Sequence, residues 1–279
     1  MRDGRAPRGF AAASIKAPGL PGGTEERFAG YGVMGLPFRS GHYLALRHFP
    51  ASSIGPGFRA VWHRDPHRRW TFYADAPAEV SCARYFGATS PGGAERVPID
   101  VTWTGPRSLR VTVPDVLAWE VHLAATAATR LLSSASRLLP VPRWDSDRVL
   151  GAMGRVAGLL LRAGRVRLQG TVPNGQHFQA APGLVWAVTN STALVGGHDI
   201  GPPGPLPHQD RLGDFWLPQR GLFAVGTACF DTYHPTRHHP AAPAVTTWPM
   251  LWPPRPVPGP HGRHPATPAR TAWAWEEAT

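Results

Sequence analysis

The chain has 279 residues, enough for one large domain or two small ones with a sizeable core. Hydrophobic residues make up 42% and charged residues 17%, with 31 Gly and 32 Pro, which argues against a long-helix protein and favours strands and turns. The formal charge of +11 does not by itself signal nucleic acid, because it is arginine spread along the chain, with Lys16 the only lysine.

Such a bias, with Asn174 and Asn190 the only asparagines, fits codon use in a GC-rich genome, and no specific nucleic-acid partner is expected. Cys82 and Cys229 are the only cysteines, too few and too far apart for a disulfide framework or a zinc motif. They suit a reducing, cytoplasmic setting. No targeting segment is evident: the apolar run after Arg8 is short and is broken by Lys16 and prolines. No apolar window reaches the length of a membrane-spanning helix.

Residues 1–30 are rich in Gly, Pro, Ala and Arg and read as a disordered lead-in. Residues 31–231 hold the patterned segments and read as a β-rich domain. Strands are expected at 42–49, 58–63, 69–74 and 79–87. The stretch "VWHRDPHRRWTFY" joins the second and third of these. Its "HRD" imitates a kinase catalytic loop, but Trp70 stands where that loop needs a metal-binding Asn. His63, Asp65 and His67 alternate as metal ligands on one strand face would. Asp65-Pro66 is a turn initiator, however, and a hairpin tip is the better reading. Trp62 and Trp70 are expected as cross-strand partners on its two arms.

The clearest period-two pattern follows. Ile99, Val101 and Trp103, then Leu109, Val111 and Val113, then Trp119, Val121 and Leu123 mark a three-strand meander. Asp100, Thr102, Arg110, Glu120 and His122 take the opposite face. The period then becomes helical. Ala128, Leu131, Leu132, Ala135, Leu138 and Leu139 form one stripe, and Val149, Leu150, Met153, Val156, Ala157, Leu160 and Leu161 form another. A helical hairpin inserted at about 127–163 is expected, packed on the sheet or facing lipid. Gly151, Gly154 and Gly158 would allow close packing of its second helix. Strands resume at 165–172, 177–180, 184–189, 192–197 and 213–230, with a turn at Pro173-Asn-Gly175. Residues 232–279 are rich in Pro and His and read as a disordered tail.

Short strands in succession, without βαβ alternation, predict a mainly β domain. About ten antiparallel strands would close as a barrel or pair as a sandwich to protect their edges. The segments "SGHYLALRHFPASSIGPGFRAVWH", "SCARYFG", "VTWTGPRSLRVTVP" and "LGDFWLPQRGLFAVG" look like a family from GC-rich actinobacteria that brings no activity with it. The plan is also similar to lipocalin-like proteins, including double lipocalins that hydrate isoprenoids. That resemblance implies a barrel with a ligand cavity. The lipocalin Gly-x-Trp signature is replaced here by Gly41-His-Tyr43.

No nucleophile elbow, P-loop, His-Glu-x-x-His or Cys-x-x-Cys occurs, so no metal site or cofactor is expected. Candidate ligand-binding residues are Tyr43, Trp62, Trp70, Arg84, Tyr85, Trp103, Glu120, His122, Asp214, Trp216 and Arg220. The tryptophans would line an apolar cavity or fill a core. Glu120 and His122 would enter the cavity only if the polar face of their strand points inward. Asp214 and Arg220 beside Trp216 would clamp a carboxylate or pair structurally. The expected function is binding of a small apolar or amphipathic ligand, lipid or isoprenoid-like, in a barrel cavity. The alternatives are an acid/base hydratase or isomerase on that frame, and an interaction protein with a filled core.

Overall fold

The computed structural model describes residues 6–90, 94–138 and 146–240. Helix α1 (Pro7–Lys16) leads into β1 (Glu26–Pro37), β2 (Tyr43–Ser52), β3 (Phe58–Arg64) and β4 (Trp70–Ala74). The short helix α2 (Ala83–Phe86) precedes β5 (Ala94–Arg96). The meander is β6 (Asp100–Gly105), β7 (Ser108–Val113) and β8 (Leu117–Ala124). Two helices of the expected insertion follow, α3 (Ala127–Leu138) and α4 (Asp147–Leu160); the residues that would join them as a hairpin, 139–145, lie outside the described residues. There follow β9 (Gln169–Thr171), β10 (His177–Val195), β11 (His198–Asp199), β12 (Arg211–Leu212), β13 (Phe215–Trp216) and β14 (Leu222–Phe230).

The main sheet runs β5-β4-β3-β2-β1-β14-β10-β8-β7-β6, with β9 and β11 appended to β10. Every pairing along it is antiparallel except β4 with β5. Around the sheet the order follows the chain, because β1 and β14 zip together from Glu26↔Phe230 to Gly35↔Leu222. The one seam lies between β5 and β6. The molecule is thus mainly β, a curled sheet of barrel-like order with two inserted helices.

Curling brings the meander across from β1. Trp103 of β6 reaches Tyr31 of β1 at 6.3 Å and Phe223 of β14 at 5.8 Å, ring centre to ring centre. This concave face is filled by Leu44, Leu46, Val61, Leu109, Val111, Trp119, Val121 and Phe223, with Ala11 of α1 packed in. The period-two residues of the meander therefore all face inward, and their polar neighbours face out. Trp119 Nε1 donates to Ser191 Oγ at 2.8 Å, which satisfies its one buried polar atom.

The opposite face of β1–β4, β14 and β10 is buried too. Phe28, Tyr43, Phe58, Trp62, Trp70 and Phe72 pack there against Tyr85, Phe86 and Leu217. Strand β2 is consequently buried on both sides along most of its length.

Several expectations need correction. Residues 7–16 and 26–30, assigned to a disordered lead-in, form α1 and the start of β1. Strand β1 carries Gly30, Gly32 and Gly35 and has weak intrinsic strand character; pairing on both edges holds it. Residues 79–87 are not a strand but two short turns of helix around Ser81. Tyr85 and Phe86 are both buried, which adjacent residues of a two-sided strand with one solvated face would not be. The segments 177–180, 184–189 and 192–197 belong to one long strand, β10, bulged between Pro182 and Leu184. Of 165–172, only Gln169–Thr171 is strand. Trp62 lies opposite Phe72, and Trp70 opposite Arg64, so the two tryptophans are not paired directly.

The tip of the β3–β4 hairpin is a turn. Asp65 Oδ1 accepts from Arg69 N at 2.9 Å, and Oδ2 accepts from Arg69 Nε at 2.7 Å. That turn takes Asp65 off the strand face of His63. The disordered-tail assignment covers 241–279, which lie outside the described residues; its first residues, 232–240, form turns that carry Tyr233 and His238.

Candidate functional site

A cavity of about 580 Å³ lies mainly on the outer face of the sheet, with Tyr31 of the concave cluster also in its lining. Its floor is β1, β14 and β10, where Gly30, Gly226, Ala224, Ala228 and Ala180 present little side chain. Gly30 and Gly226 are register partners. A Cβ on Gly30 would run into the His48 carbonyl oxygen, and one on Gly226 into that of Ala181, so both positions require glycine. The roof is the helix pair, through Leu132, Ala135, Met153 and Ala157. Phe28, Trp62, Tyr85, Phe86, Leu168 and Trp216 line the rest of its wall.

The helices are fixed by local packing. Gly154 and Gly158 let α4 lie directly on the backbone of residues 164–166, where any Cβ would clash. Gly164 turns the chain at φ +72°. Ser133 Oγ of α3 accepts from Val185 N at 3.0 Å, beside the bulge of β10. The helical stripes divide between two surroundings. Leu150 and Leu161 are buried, whereas Leu138 and Leu131 are 83% and 58% exposed.

Arg47 is a buried charged group in the cavity wall. It alternates with Tyr43 and Ala45 on the buried outer face of β2 and is only 5% exposed. Nη1 donates to Val33 O at 2.7 Å and Leu46 O at 2.9 Å, and Nη2 donates to Met34 O at 3.1 Å. The guanidinium lies 4.6 Å from the centre of the Trp62 ring, a cation–π contact. Burial lowers its pKa from the usual arginine value. Among the described residues no carboxylate pairs with it. Cys82 lines the same wall, and burial pushes its thiol up to about 11.

The sequence-predicted residues fall in different places. Trp62, Tyr85 and Trp216 line the cavity. Trp216 also carries Arg165 and Arg211 over its ring, at 4.8 and 5.6 Å. Tyr43 and Trp70 sit behind the wall, and Tyr43 donates to Pro218 O at 2.9 Å, which ties down the loop before β14. Trp103 belongs to the concave cluster. Glu120 pairs with Arg110 on the solvated face of the meander, and His122 lies exposed next to Ser108. Asp214 pairs with Arg167 at 2.6 Å at the cavity rim. Arg220 is exposed and outside the lining.

Arg84 and Tyr85 serve a buried carboxylate, Glu26. Its Oε1 accepts from Arg84 Nη2 at 2.7 Å and Tyr233 N at 3.2 Å. Its Oε2 accepts from Arg84 Nε at 3.0 Å, Tyr85 Oη at 2.6 Å and Gln176 Nε2 at 3.1 Å. Burial alone would raise the Glu26 pKa, but these donors outweigh it and lower it. The tyrosine is raised, by burial and by the carboxylate. Glu26 is a structural anchor between β1, α2 and the turns after β14.

Sequence reading overlooked Arg47 and the small-residue floor. The signal for Arg47 was a charge in a row with Tyr43 and Ala45. Another pair was also unforeseen: His42 Nδ1 and His63 Nε2 are 2.9 Å apart, and burial holds His63 near pKa 4. Among the described residues no three His, Cys, Asp or Glu side chains gather as metal ligands would. Lys16, the only lysine, is exposed on α1, so the cavity wall offers no amine for Schiff-base chemistry.

Among the described residues no helix is long and apolar enough to cross a membrane. No family model matches the chain, and no curated protein matches it. A search of solved structures returns the crystal structure of acetoacetate decarboxylase from Legionella pneumophila at 10% identity, covering 83% of this chain and 94% of that one. Its TM-score is 0.37, too low to carry an argument about activity, so the barrel-like description rests on the chain's own strand order.

Proposed function

We propose that the protein binds a small apolar or amphipathic molecule, of lipid or isoprenoid kind, in the cavity beneath its two inserted helices. The observation that carries this reading is the cavity itself: about 580 Å³, walled by aromatic and aliphatic side chains. Pockets for small ligands typically measure about 300–1,000 Å³ with a mostly apolar lining and few polar groups. This reading puts the ligand outside the curled sheet rather than inside it, because the concave face is packed with buried side chains.

Binding is favoured over acid/base catalysis by the ionisable groups of the wall. Cys82 is held at about 11, Tyr85 is raised, and Arg47 keeps its proton at neutral pH. None is poised near pH 7, where a general acid or base works best. The test is native mass spectrometry of the purified full chain together with tryptophan quenching by fatty acids and isoprenoid alcohols. A co-purifying lipid or saturable quenching is expected. Neither outcome, in repeated preparations, would end this reading.

A further inference from the structure

We infer that the cavity selects an anionic amphiphile, with its carboxylate or other acidic head on Arg47 and its apolar tail along the helical roof. This rests on the cavity-binding reading above and adds the chemical class of the ligand. The first ground is an unbalanced buried charge. A cation taken out of water needs a counter-ion or dense hydrogen bonding to be tolerated. The Val33, Leu46 and Met34 carbonyls and the Trp62 ring hold the guanidinium in place. They supply partial charges, not a full negative one. Its close neighbours Cys82 and Tyr43 are neutral at pH 7, since burial raises both.

The second ground is donor count. A guanidinium has five N–H groups. Nη1 uses both of its own and Nη2 uses one, so the Nε–H and the second Nη2–H have no acceptor among the described residues. Arg47 lines the cavity, so a ligand there can reach them. The third ground is contrast within the site. The other lining arginine, Arg167, stands at the rim and is already neutralised by Asp214. A head group therefore gains most at the inner cation, which is 5% exposed and lies beside the Trp62 and Phe215 rings. Charge-assisted hydrogen bonds to a guanidinium are the stronger kind, and desolvation increases their worth.

The experiment is calorimetric titration of the full chain with three probes that share one tail: dodecanoate, 1-dodecanol and dodecyltrimethylammonium, each below its micelle concentration. Dodecanoate is expected to bind about tenfold or more tighter than dodecanol, with the cation weakest. Arg47→Met should bring dodecanoate down to the level of dodecanol, and Arg47→Lys should keep part of the preference. Near-ultraviolet circular dichroism checks that each variant is folded; if neither is, the wild-type series decides alone. Equal binding of dodecanoate and dodecanol by the wild type would overturn the head-group assignment and leave the cavity reading standing. Binding of none of the three would overturn both.

Discussion

The two faces of the sheet have the same strands and opposite interiors. On the concave face the meander folds over β1 and β14, and aromatic rings from both sides interlock. On the outer face the cover is a separate insertion, α3 and α4, standing over glycine and alanine. A sheet that closes on itself can match side chain to side chain in register. A pair of helices laid over a floor of small residues leaves space, because their ridges have few side chains to meet. Both faces carry buried clusters, but only the outer one leaves a cavity between the sheet and its cover.

Truncating the concave face should cost most. Trp119→Ala is expected to destabilise by about 3–5 kcal/mol, read from the denaturant midpoint. A loss under about 1 kcal/mol would show that the concave cluster is not the folding core. Glu26→Gln should rank next, at about 3 kcal/mol, since it strips the charge that Arg84 and Tyr85 surround. An unchanged midpoint would mean that these bonds are replaced by water.

The third prediction concerns pH. His48, bonded through Nδ1 to Tyr31 Oη at 2.7 Å, is held by burial at about 4. His63 is held at about 4 as well. Both values lie below the unfolded histidine value, so the unfolded chain takes up protons first as pH falls. Stability is full above about pH 6.5, declines between 6.5 and 4, and levels off for these groups below 4. Each contributes at most about 3 kcal/mol to that decline. His48→Gln keeps a polar partner for Tyr31 and should flatten part of the slope. A wild-type midpoint constant from pH 7 to 4.5 would contradict the assignment. The lowered Glu26 pKa adds a further loss at more acid pH, below the ordinary carboxylate range.

Filling the outer face should separate packing from binding. Ala228→Leu points bulk into the cavity and is expected to change stability by less than about 1 kcal/mol while reducing dodecanoate affinity about tenfold or more. A large stability loss with intact binding would contradict that separation. The smallest effect belongs to the solvated side of the meander. Arg110→Ala breaks an exposed pair with Glu120 and should cost about 0.5 kcal/mol or less, with binding unaltered. A loss above about 2 kcal/mol would mean that this face is covered by something.

How much could be read in advance follows the same division. The meander β6–β8 was legible because one of its faces meets water, so polarity alternates with every residue. The two helices of the insertion were legible from their period. Strand β2 is buried on both sides, and nothing in its pattern tells which side holds a cavity. Strand β1 hid behind its glycines, and α2 behind a run of residues that suits a strand equally well. Of the site, Trp62, Tyr85 and Trp216 could be named because aromatic residues suggest an apolar pocket or a core. Arg47 could not, since its meaning depends on the absence of a carboxylate nearby, which is a fact of three-dimensional packing.

The glycine and alanine floor has one more consequence, for sequence variation. Leu132 and Ala157, which line the cavity from α3 and α4, pack with Met34, Val185 and Leu222 of the sheet, apart from the concave cluster. Substitutions there can reshape the pocket without disturbing the rings that interlock on the other side. The cavity lining can vary while the fold is kept, and Gly30 and Gly226, which cannot accept a Cβ, mark where that freedom stops.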